Sequence, residues 1–413
     1  MTKQEILFLE ALKASLTNTT VTWTTLLSIE EWKSIFELAE SHKVLPLVFH
    51  AVYSCPAAAS LESQMFMVLK RRVLTLTLNQ VQRTAEFLKL YEKLAEEGIT
   101  PLIIKGLICR ELYPKPDLRI SADEDILVQE EDFENAIKIL KSCGMKLKGE
   151  LMEGADEAAL ISEKGLSYIE LHRKLFSQNS KAYGELNNYF TDGFGSKVSL
   201  NVQGITIYTM EPEMHLLYLF CHAFKHFLHG GFGIRQVCDI IMFANTYGKE
   251  NDWQKLLQQC KELHMEKFAA ALFKIGKNYL IFDEEKAYFP LEWQSIEIDE
   301  TALLEDLLGS GIYGSSTLSR KHSSHMTLDA VAESKQGRKS GNGLLKAVFP
   351  SVKNLEGRYP YLKEKPYLLP VAWTGRMVAY GKQTKLVENN SAAEAVKIGK
   401  DRIELLKQYG IIE

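Results

Sequence analysis

Residues 98–128, GITPLIIKGLICRELYPKPDLRISADEDILV, decide how the chain folds. The run ITPLIIKG is short, apolar and bounded by glycine, which is typical of a buried strand. A short helix is expected from Leu107 to Tyr113. A turn at Pro114 and Pro116 then leads into ADEDILV, which is expected to form a second strand. The stretch therefore predicts strand, helix and strand in close succession.

An acidic pair in the second strand is the main chemical signal. Because side chains alternate between the two faces of a strand, Asp123 and Asp125 would project from one face and Glu124 from the other. Two neighbouring carboxylates repel each other and need a cation or a shared proton. Magnesium prefers oxygen ligands, so the pair predicts a magnesium site.

Three residues around the acidic pair suit a phosphate-bearing ligand. Gly106 follows the first strand directly, and a glycine there lets backbone amides approach a phosphate. Lys105 and Arg119 add positive charge on either side of the acids. We therefore expect these three residues to contact the phosphates.

A third carboxylate lies in the expected strand LSYIELHRKL. Glu170 and His172 would share one face of it, while Ile169 and Leu171 would enter the core from the other. If this strand lies beside the strand of the acidic pair, Glu170 would meet the same ions. Two metal ions held by three carboxylates would align an attacking hydroxyl and stabilise a leaving pyrophosphate. An exposed ion pair between Glu170 and the basic residues after His172 is the alternative.

The wider pattern predicts an α+β fold, with a small mixed β-sheet flanked by helical N-terminal and helical C-terminal regions. Ser28 followed by Glu31 predicts a helix start, and the stretch from Leu61 to Glu97 predicts one long helix ended by Gly98. The expected regions are 1–97 (helical), 98–210 (α/β core), 211–313 (helical lobe), 314–343 (mobile linker or long loop) and 344–413 (C-terminal extension).

A histidine-rich helix, HLLYLFCHAFKHFLHGGFGIRQVCDIIMF, follows the core. His215, His222, His226 and His229 recur at helical spacing and would line one face. We expect six residues to line a cleft beside the acids: His172, His222, Lys225, His226, Arg235 and Asp239. Two alternatives remain open, namely a metal bound by the histidines four residues apart and an ordinary salt bridge between the arginine and the aspartate.

Composition excludes little. The chain has 413 residues, a net charge of -4 and 46% hydrophobic residues, so nothing draws it as a whole toward nucleic acid or anionic membranes. Six dispersed cysteines are typical of reduced thiols in the cytoplasm, and no apolar run is long enough to predict a membrane span. The basic residues of 314–343 would face solvent or contact a polyanionic acceptor: Arg320, Lys321, His322, His325, Lys335, Arg338 and Lys339.

The order strand, Lys-Gly, helix, Arg, Asp-x-Asp, helix and acidic residue before Leu-His resembles an uncharacterised bacterial nucleotidyltransferase family of the DNA polymerase β superfold. The resemblance covers roughly residues 60–280. It implies that Asp123, Asp125 and Glu170 bind Mg²⁺ as catalytic residues. It also implies that Lys105, Gly106 and Arg119 contact a nucleoside triphosphate.

The resemblance implies transfer of a nucleoside monophosphate from the triphosphate to a hydroxyl or phosphate, with release of pyrophosphate. The acceptor is an unidentified small molecule, protein or nucleic acid. Glu170 would serve as the base for the incoming hydroxyl. The turn is Gly106-Leu107 where the superfamily usually has Gly-Ser or Gly-Gly, and Glu124 stands where an apolar residue is usual. These departures motivate an alternative, a catalytically inactive nucleotide-binding module. Phosphohydrolysis by the histidine helix is a third, weaker hypothesis.

Overall fold

The computed structural model describes residues 1–163, 167–310, 318–337, 352–355, 359–362, 364–375 and 392–413. Four helices precede the sheet: α1 (Lys3–Leu16), α2 (Ile29–Ser41), α3 (Leu45–Val52) and α4 (Ser63–Glu96). Two lie among the strands: α5 (Gly106–Glu111) and α6 (Phe133–Ser142). Six follow the sheet: α7 (Pro212–His229), α8 (Ile234–Tyr247), α9 (Trp253–Glu262), α10 (Glu266–Tyr279), α11 (Leu291–Gln294) and α12 (Thr301–Ser310). Further helices include α13 (Leu318–Lys335), α14 (Val352–Leu355) and α15 (Ala392–Gln408).

The predicted helix start at Ser28 is confirmed. Its Oγ accepts a hydrogen bond from the Glu31 amide at 3.2 Å, and the Glu31 carboxylate accepts one from the Ser28 amide at 2.8 Å. The predicted long helix is confirmed as α4, a 34-residue helix. Gly98 follows it at φ +84°, a left-handed conformation that glycine adopts without strain.

Seven strands form one mixed sheet: β1 (Leu102–Ile103), β2 (Glu124–Leu127), β3 (Met145–Leu147), β4 (Glu157–Ser162), β5 (Tyr168–His172), β6 (Val198–Val202) and β7 (Ile205–Thr209). Their order is β3-β4-β5-β2-β1-β7-β6. The pairs β2–β5 and β1–β7 are parallel, and the others are antiparallel. The predicted α+β fold with a mixed sheet is therefore confirmed.

The sequence prediction missed the two strands at the ends of the sheet, β3 and β6. Their burial is partial: β6 has one buried position, Val202, and β3 has one, Met145. A strand that packs against the core along only part of its length lacks a strong apolar pattern. The central strands gave the clearer signal, because all four positions of β2 are buried.

One cluster of buried apolar side chains joins the N-terminal helices, the sheet, the helices after it and α15. It includes Phe8 of α1, Ile126 of β2, Phe220 of α7 and Leu406 of α15. The boundaries proposed between the five regions remain a prediction. Among the described helices, none combines the length and the apolar character needed to cross a bilayer.

The prediction of a mobile linker or long loop at 314–343 was wrong over α13. Buried residues recur along this helix at three- and four-residue spacing, among them Thr327, Ala330 and Val331. The Thr327 hydroxyl donates to the Leu228 carbonyl at 2.5 Å, which fixes α13 against α7. The serine-rich and lysine-rich composition had outweighed this spacing in the sequence prediction.

The basic residues of this segment differ in burial and in the partners they contact. Arg320 is buried, and it binds the Asp306 carboxylate at 2.5 Å and the Gly230 carbonyl at 2.7 Å. Lys335 pairs with Glu185 at 2.6 Å, and His325 is exposed. The side chains of Lys321 and His322, and all of Arg338 and Lys339, lie outside the described residues.

Candidate functional site

Strands β2 and β5 are adjacent, which is the condition under which Glu170 is expected to meet the ions of the acidic pair, and they run parallel. Asp125 is in register with Glu170, and Leu127 with His172. Because the two strands share one register, the carboxylate of Asp125 and that of Glu170 lie on the same face of the sheet. Ile169 enters the core from the opposite face, as alternation predicts.

Asp125, Glu170 and His172 form a group that could hold a metal ion. One ligand atom from each lies within 4.8 Å of the others. Nε2 of His172 is 3.6 Å from Oδ1 of Asp125 and 4.0 Å from Oε2 of Glu170. Asp123 directly precedes β2, is partly exposed and does not belong to this group. The structure therefore brings two of the three predicted acids together and adds the histidine that shares the face of Glu170.

The two acids of this group repel each other when both are ionised. Burial and the nearby carboxylates of Asp125 and Asp123 raise the pKa of Glu170 to about 7. Burial disfavours the ionised form of Asp125, but the ammonium of Lys105 and the imidazoles of His172 and His222 together outweigh it and hold the pKa of Asp125 well below its usual range. A cation between these carboxylates would relieve their repulsion.

The residues present fit a divalent cation. Two carboxylates supply the oxygen ligands that magnesium and manganese prefer, and an imidazole suits manganese and other transition metals. His172 is 3% exposed, and neither of its ring nitrogens makes a well-aligned hydrogen bond in the described structure. A buried nitrogen without a hydrogen-bond partner beside two acids has the geometry of a ligand rather than of a core histidine.

Lys105 reaches the same carboxylate from the end of β1. Its Nζ lies 2.9 Å from Oδ2 of Asp125 and 3.2 Å from Nε2 of His222 on α7. Burial opposes the charge of Lys105, but Asp125 and Asp123 raise the pKa of the lysine above its ordinary value. The predicted phosphate-contacting lysine is thus an ammonium group held inside the site.

The turn at Gly106 is closed by Glu124. The Leu107 amide donates to Oε2 of Glu124 at 2.8 Å, and Arg110 pairs with the same carboxylate at 2.5 Å. Gly106 has φ +35°, and a Cβ there would meet Glu124 Oε2 at 2.0 Å. The amide expected to face a phosphate is therefore already bonded, and the glycine is required by the close approach of Glu124.

A family match spans residues 28–280 and describes an uncharacterised nucleotidyltransferase. The chain belongs to the uncharacterised nucleotidyltransferase family. The matched span includes β1, β2, β5 and α7, so every element of the site described above lies inside it. The resemblance seen in the sequence is thereby confirmed, and the α+β fold agrees with it.

Two solved structures are similar at 15% identity. One is an antigenic nucleotidyltransferase-like protein from Paracoccidioides brasiliensis, with a TM-score of 0.29 and coverage of 50% of this chain and 95% of that one. The other is a tRNA-processing enzyme in an apo form, with a TM-score of 0.23 and coverage of 79% of this chain and 96% of that one. At these TM-scores neither likeness bears on this chain. The chain matches none of the curated proteins.

Arg119, the second cation predicted to contact the phosphates, is engaged in a salt bridge with Asp239. It is fully buried and binds Asp239 of α8, which also accepts a hydrogen bond from the Tyr113 hydroxyl at 2.8 Å. Arg235 donates to the Ile120 carbonyl. The salt bridge of Asp239 is thus made with Arg119 and not with Arg235 four residues before it.

The histidines of α7 contact different partners. His222 reaches Lys105, and its Nε2 is 3.1 Å from Nε2 of His226. His215 bonds Thr209 at 3.0 Å, while Lys225 is partly exposed. Only the middle of the predicted stripe therefore touches the site.

Nothing in the sequence indicates that one further residue, Arg83, lies beside the site. Arg83 of α4 donates to the Ser121 carbonyl at 2.9 Å and lines a small cavity with Asp123 and Tyr168. Its position about 40 residues before the acidic pair, in the middle of a long helix, gives no pattern that would link the two.

Proposed function

We propose that this protein is a metal-dependent nucleotidyltransferase that moves a nucleoside monophosphate from a nucleoside triphosphate to an acceptor hydroxyl or phosphate. Asp125 and Glu170 hold Mg²⁺, with Asp123 at the edge of the site, and His172 would join them as a ligand when the ion is Mn²⁺. Lys105 contacts the triphosphate. The acceptor is a small molecule, a protein or a nucleic acid that the site does not identify.

The register of Asp125 against Glu170 on neighbouring parallel strands carries this proposal. Two strands far apart in sequence each place a carboxylate on the same face, and burial and the neighbouring acids raise the pKa of Glu170 to about 7. A carboxyl that ionises near neutral pH suits a general base. Family membership supports the reaction class.

The residues of the chain divide the work of the transfer. Glu170 accepts the proton of the acceptor hydroxyl, whose oxygen forms a bond to the α-phosphorus. The bond from that phosphorus to the bridging oxygen of the β-phosphate breaks, and pyrophosphate leaves. When bound, the metal would stabilise charge on the attacking and leaving oxygens. Lys105 adds a fixed positive charge beside the phosphates.

Arg119 and Asp239 take part only indirectly in this proposal. Their buried ion pair lies between the turn that precedes β2 and helix α8. It fixes the segment that leads into Asp123 and so supports the acidic strand. His226, Lys225 and Arg235 remain candidates for the lining of the cleft.

A second candidate function is an inactive nucleotide-binding module. The contact between the Leu107 amide and Glu124 at 2.8 Å favours it, because that amide cannot contact a phosphate while the carboxylate holds it. Binding of a triphosphate without release of pyrophosphate would distinguish this module from the enzyme.

Turnover of four triphosphates labelled at the α-phosphate tests the proposal. Wild-type protein with Mg²⁺ is assayed for pyrophosphate release and label transfer against pooled small molecules, RNA and the protein itself. Asp125→Asn and Glu170→Gln are expected to lower the rate by at least about 100-fold, since each removes a metal ligand. Glu163→Gln, an exposed acid 3.0 Å from Lys146 in the same sheet, should leave the rate unchanged. Equal rates for all four proteins would refute the assignment.

A further inference from the structure

Two elements of the fold share the ammonium group of Lys105. Asp125 on β2 lies 2.9 Å from Nζ, and His222 on α7 lies 3.2 Å from it. The lysine is 7% exposed, so bulk water does not readily replace either partner. The position of the ammonium group therefore depends on the balance between one carboxylate and one imidazole.

The geometry fixes the tautomers of the two neighbouring histidines. An ammonium group only donates hydrogen bonds, so Nε2 of His222 must accept from Lys105 and its proton sits on Nδ1. Nε2 of His226 lies 3.1 Å from that same acceptor and must therefore donate to it. Burial and the charge of Lys105 lower the pKa of both histidines, which keeps them neutral as this arrangement requires.

Two donors thus converge on one lone pair. An sp² ring nitrogen has a single lone pair, so the bond from Lys105 and the bond from His226 weaken each other. The rings lie 4.4 Å apart between centroids at 65°, a close contact along one helix. His222 thus competes with the carboxylate of Asp125 for the ammonium group, and His226 limits how strongly it competes.

The carboxylate at the other end of this balance belongs to the metal group. Asp125, Glu170 and His172 place their ligand atoms within 4.8 Å, and the ammonium of Lys105 stands 2.9 Å from Asp125. A divalent cation and an ammonium group repel each other, and both are attracted to the carboxylate of Asp125. Any change that strengthens the hydrogen bond from Lys105 to His222 weakens the ion pair between Lys105 and Asp125. It is therefore expected to raise the affinity of the site for the divalent cation.

We propose that His222 is a positioning residue that sets the metal affinity of the site by competing with Asp125 for the ammonium group of Lys105, and that His226 opposes it by competing with the lysine for the ring nitrogen of His222. The inference rests on the proposed function, because it presumes that Asp125 binds a divalent cation. No bond is made or broken and no proton is transferred in it. The two histidines are expected to act with opposite signs.

Titration calorimetry of the full chain with Mn²⁺ alone, at one neutral pH, tests the inference without an acceptor. His222→Leu removes the acceptor and leaves Lys105 on Asp125, so Mn²⁺ should bind about tenfold more weakly, the loss expected for one charge-assisted hydrogen bond. His222→Gln keeps an acceptor oxygen and should restore most of the affinity. His226→Leu leaves the lone pair of His222 to the lysine and should tighten binding by a few-fold.

His229→Leu is the matched control. It makes the same substitution on the same helix, where the ring contacts Tyr183 at 2.9 Å. Its Mn²⁺ affinity should equal that of the wild type. Circular dichroism and melting of each variant establish that the fold is kept, and the variant at 226 carries the test if His222→Leu does not fold.

Lys105→Met closes a double-mutant cycle. It removes the competing ammonium, so Mn²⁺ should bind more tightly than in the wild type. In that background His222→Leu should change nothing further. An equal loss with and without the lysine would overturn the inference, because the histidine would then act on the metal by another route.

The two failures can be told apart. If Asp125→Asn abolishes Mn²⁺ binding but both histidine variants bind like the wild type, the positioning role is overturned and the proposed function stands. If the wild type does not bind Mn²⁺, or binds it equally after Asp125→Asn, the proposed function fails and the inference fails with it.

Discussion

Arg119 and Asp239 form a two-point ion pair inside the core. Nε of the arginine donates to Oδ1 at 3.0 Å, and its terminal nitrogen donates to Oδ2 at 2.5 Å. The arginine is 0% exposed and the aspartate 2%. The pair joins the turn before β2 to α8, so the acidic strand and the helical lobe are fixed to each other by a contact that spans 120 residues.

Removing one partner of this pair should unfold the protein more easily. Asp239→Asn leaves a guanidinium uncompensated in the core, which is expected to cost about 3–5 kcal/mol of unfolding free energy. Arg119→Met with Asp239→Leu should recover much of that loss. Urea denaturation measures it, with Arg72→Met as control, since the exposed Arg72–Glu40 bridge at 3.3 Å should matter by less than about 1 kcal/mol. A similarly small effect of Asp239→Asn would show Arg119 to be free for a ligand.

Substitution of Gly106 tests the closed turn. Gly106→Ala would bring Cβ to 2.0 Å from Oε2 of Glu124 at a φ of +35°. We expect a loss of about 2–4 kcal/mol, since overpacking and backbone strain add. Gly98→Ala also has a positive φ, but nothing lies within 4 Å of its Cβ, so it should lose only about 1 kcal/mol. Equal losses, read from melting temperatures, would contradict the close approach.

His42 should make stability depend on pH. Its Nδ1 accepts from the Ile234 amide at 3.3 Å, so its proton sits on Nε2, which lies 3.3 Å from the Leu308 carbonyl. Burial lowers the pKa of His42 from 6.5 to about 4. The unfolded chain therefore binds the proton first, and this contribution is present above pH 6.5 and is lost as pH falls toward about 4.

Denaturation at a series of pH values checks this prediction. The wild type should lose up to about 3 kcal/mol through this group across the window, and His42→Gln should flatten the slope. His264→Asn, which changes an exposed histidine, should leave the slope as it is. A slope that His42→Gln does not change would contradict the neutral, buried state of the ring.

Helix α13 can be tested against the linker expected from composition. Val331 is 1% exposed, so Val331→Asp buries an unpaired charge and should destabilise the protein by more than about 2 kcal/mol. Gln336→Asp, an exposed position just beyond the helix, should change stability by less than about 0.5 kcal/mol. If both variants melt like the wild type, the segment does not pack as described.

Local pattern predicted the parts of the site that depend on alternation. The apolar positions Ile169 and Leu171 fixed the face of Glu170, and the short run before Lys105 marked β1. Alternation could not say which acids lie close enough to bind one ion, because Asp123 precedes the first residue of β2 and His172 is buried beside Asp125. Only the pairing of β2 with β5 shows that Asp125, Glu170 and His172 lie close together.

Contacts between residues that are far apart along the chain could not be predicted from the sequence. Nothing in the residues around Arg119 indicates that its partner is Asp239 rather than a phosphate, because charge alone does not specify a partner. Glu124 was expected to point away from the acids, but its bond to the Leu107 amide depends on how β2 packs against α5. Helix α13 was missed because several of its buried residues, such as Ser323 and Thr327, are polar and so give no apolar pattern.

The proposed function requires that the carboxylates of Asp125 and Glu170 meet a divalent cation and a nucleoside triphosphate in one site. Anomalous diffraction from crystals soaked with Mn²⁺ and a non-hydrolysable triphosphate tests it most directly. Manganese is expected between these two carboxylates, with the phosphates bound to it and Lys105 beside them. Manganese absent from that position, or a triphosphate bound elsewhere on the protein, would contradict it.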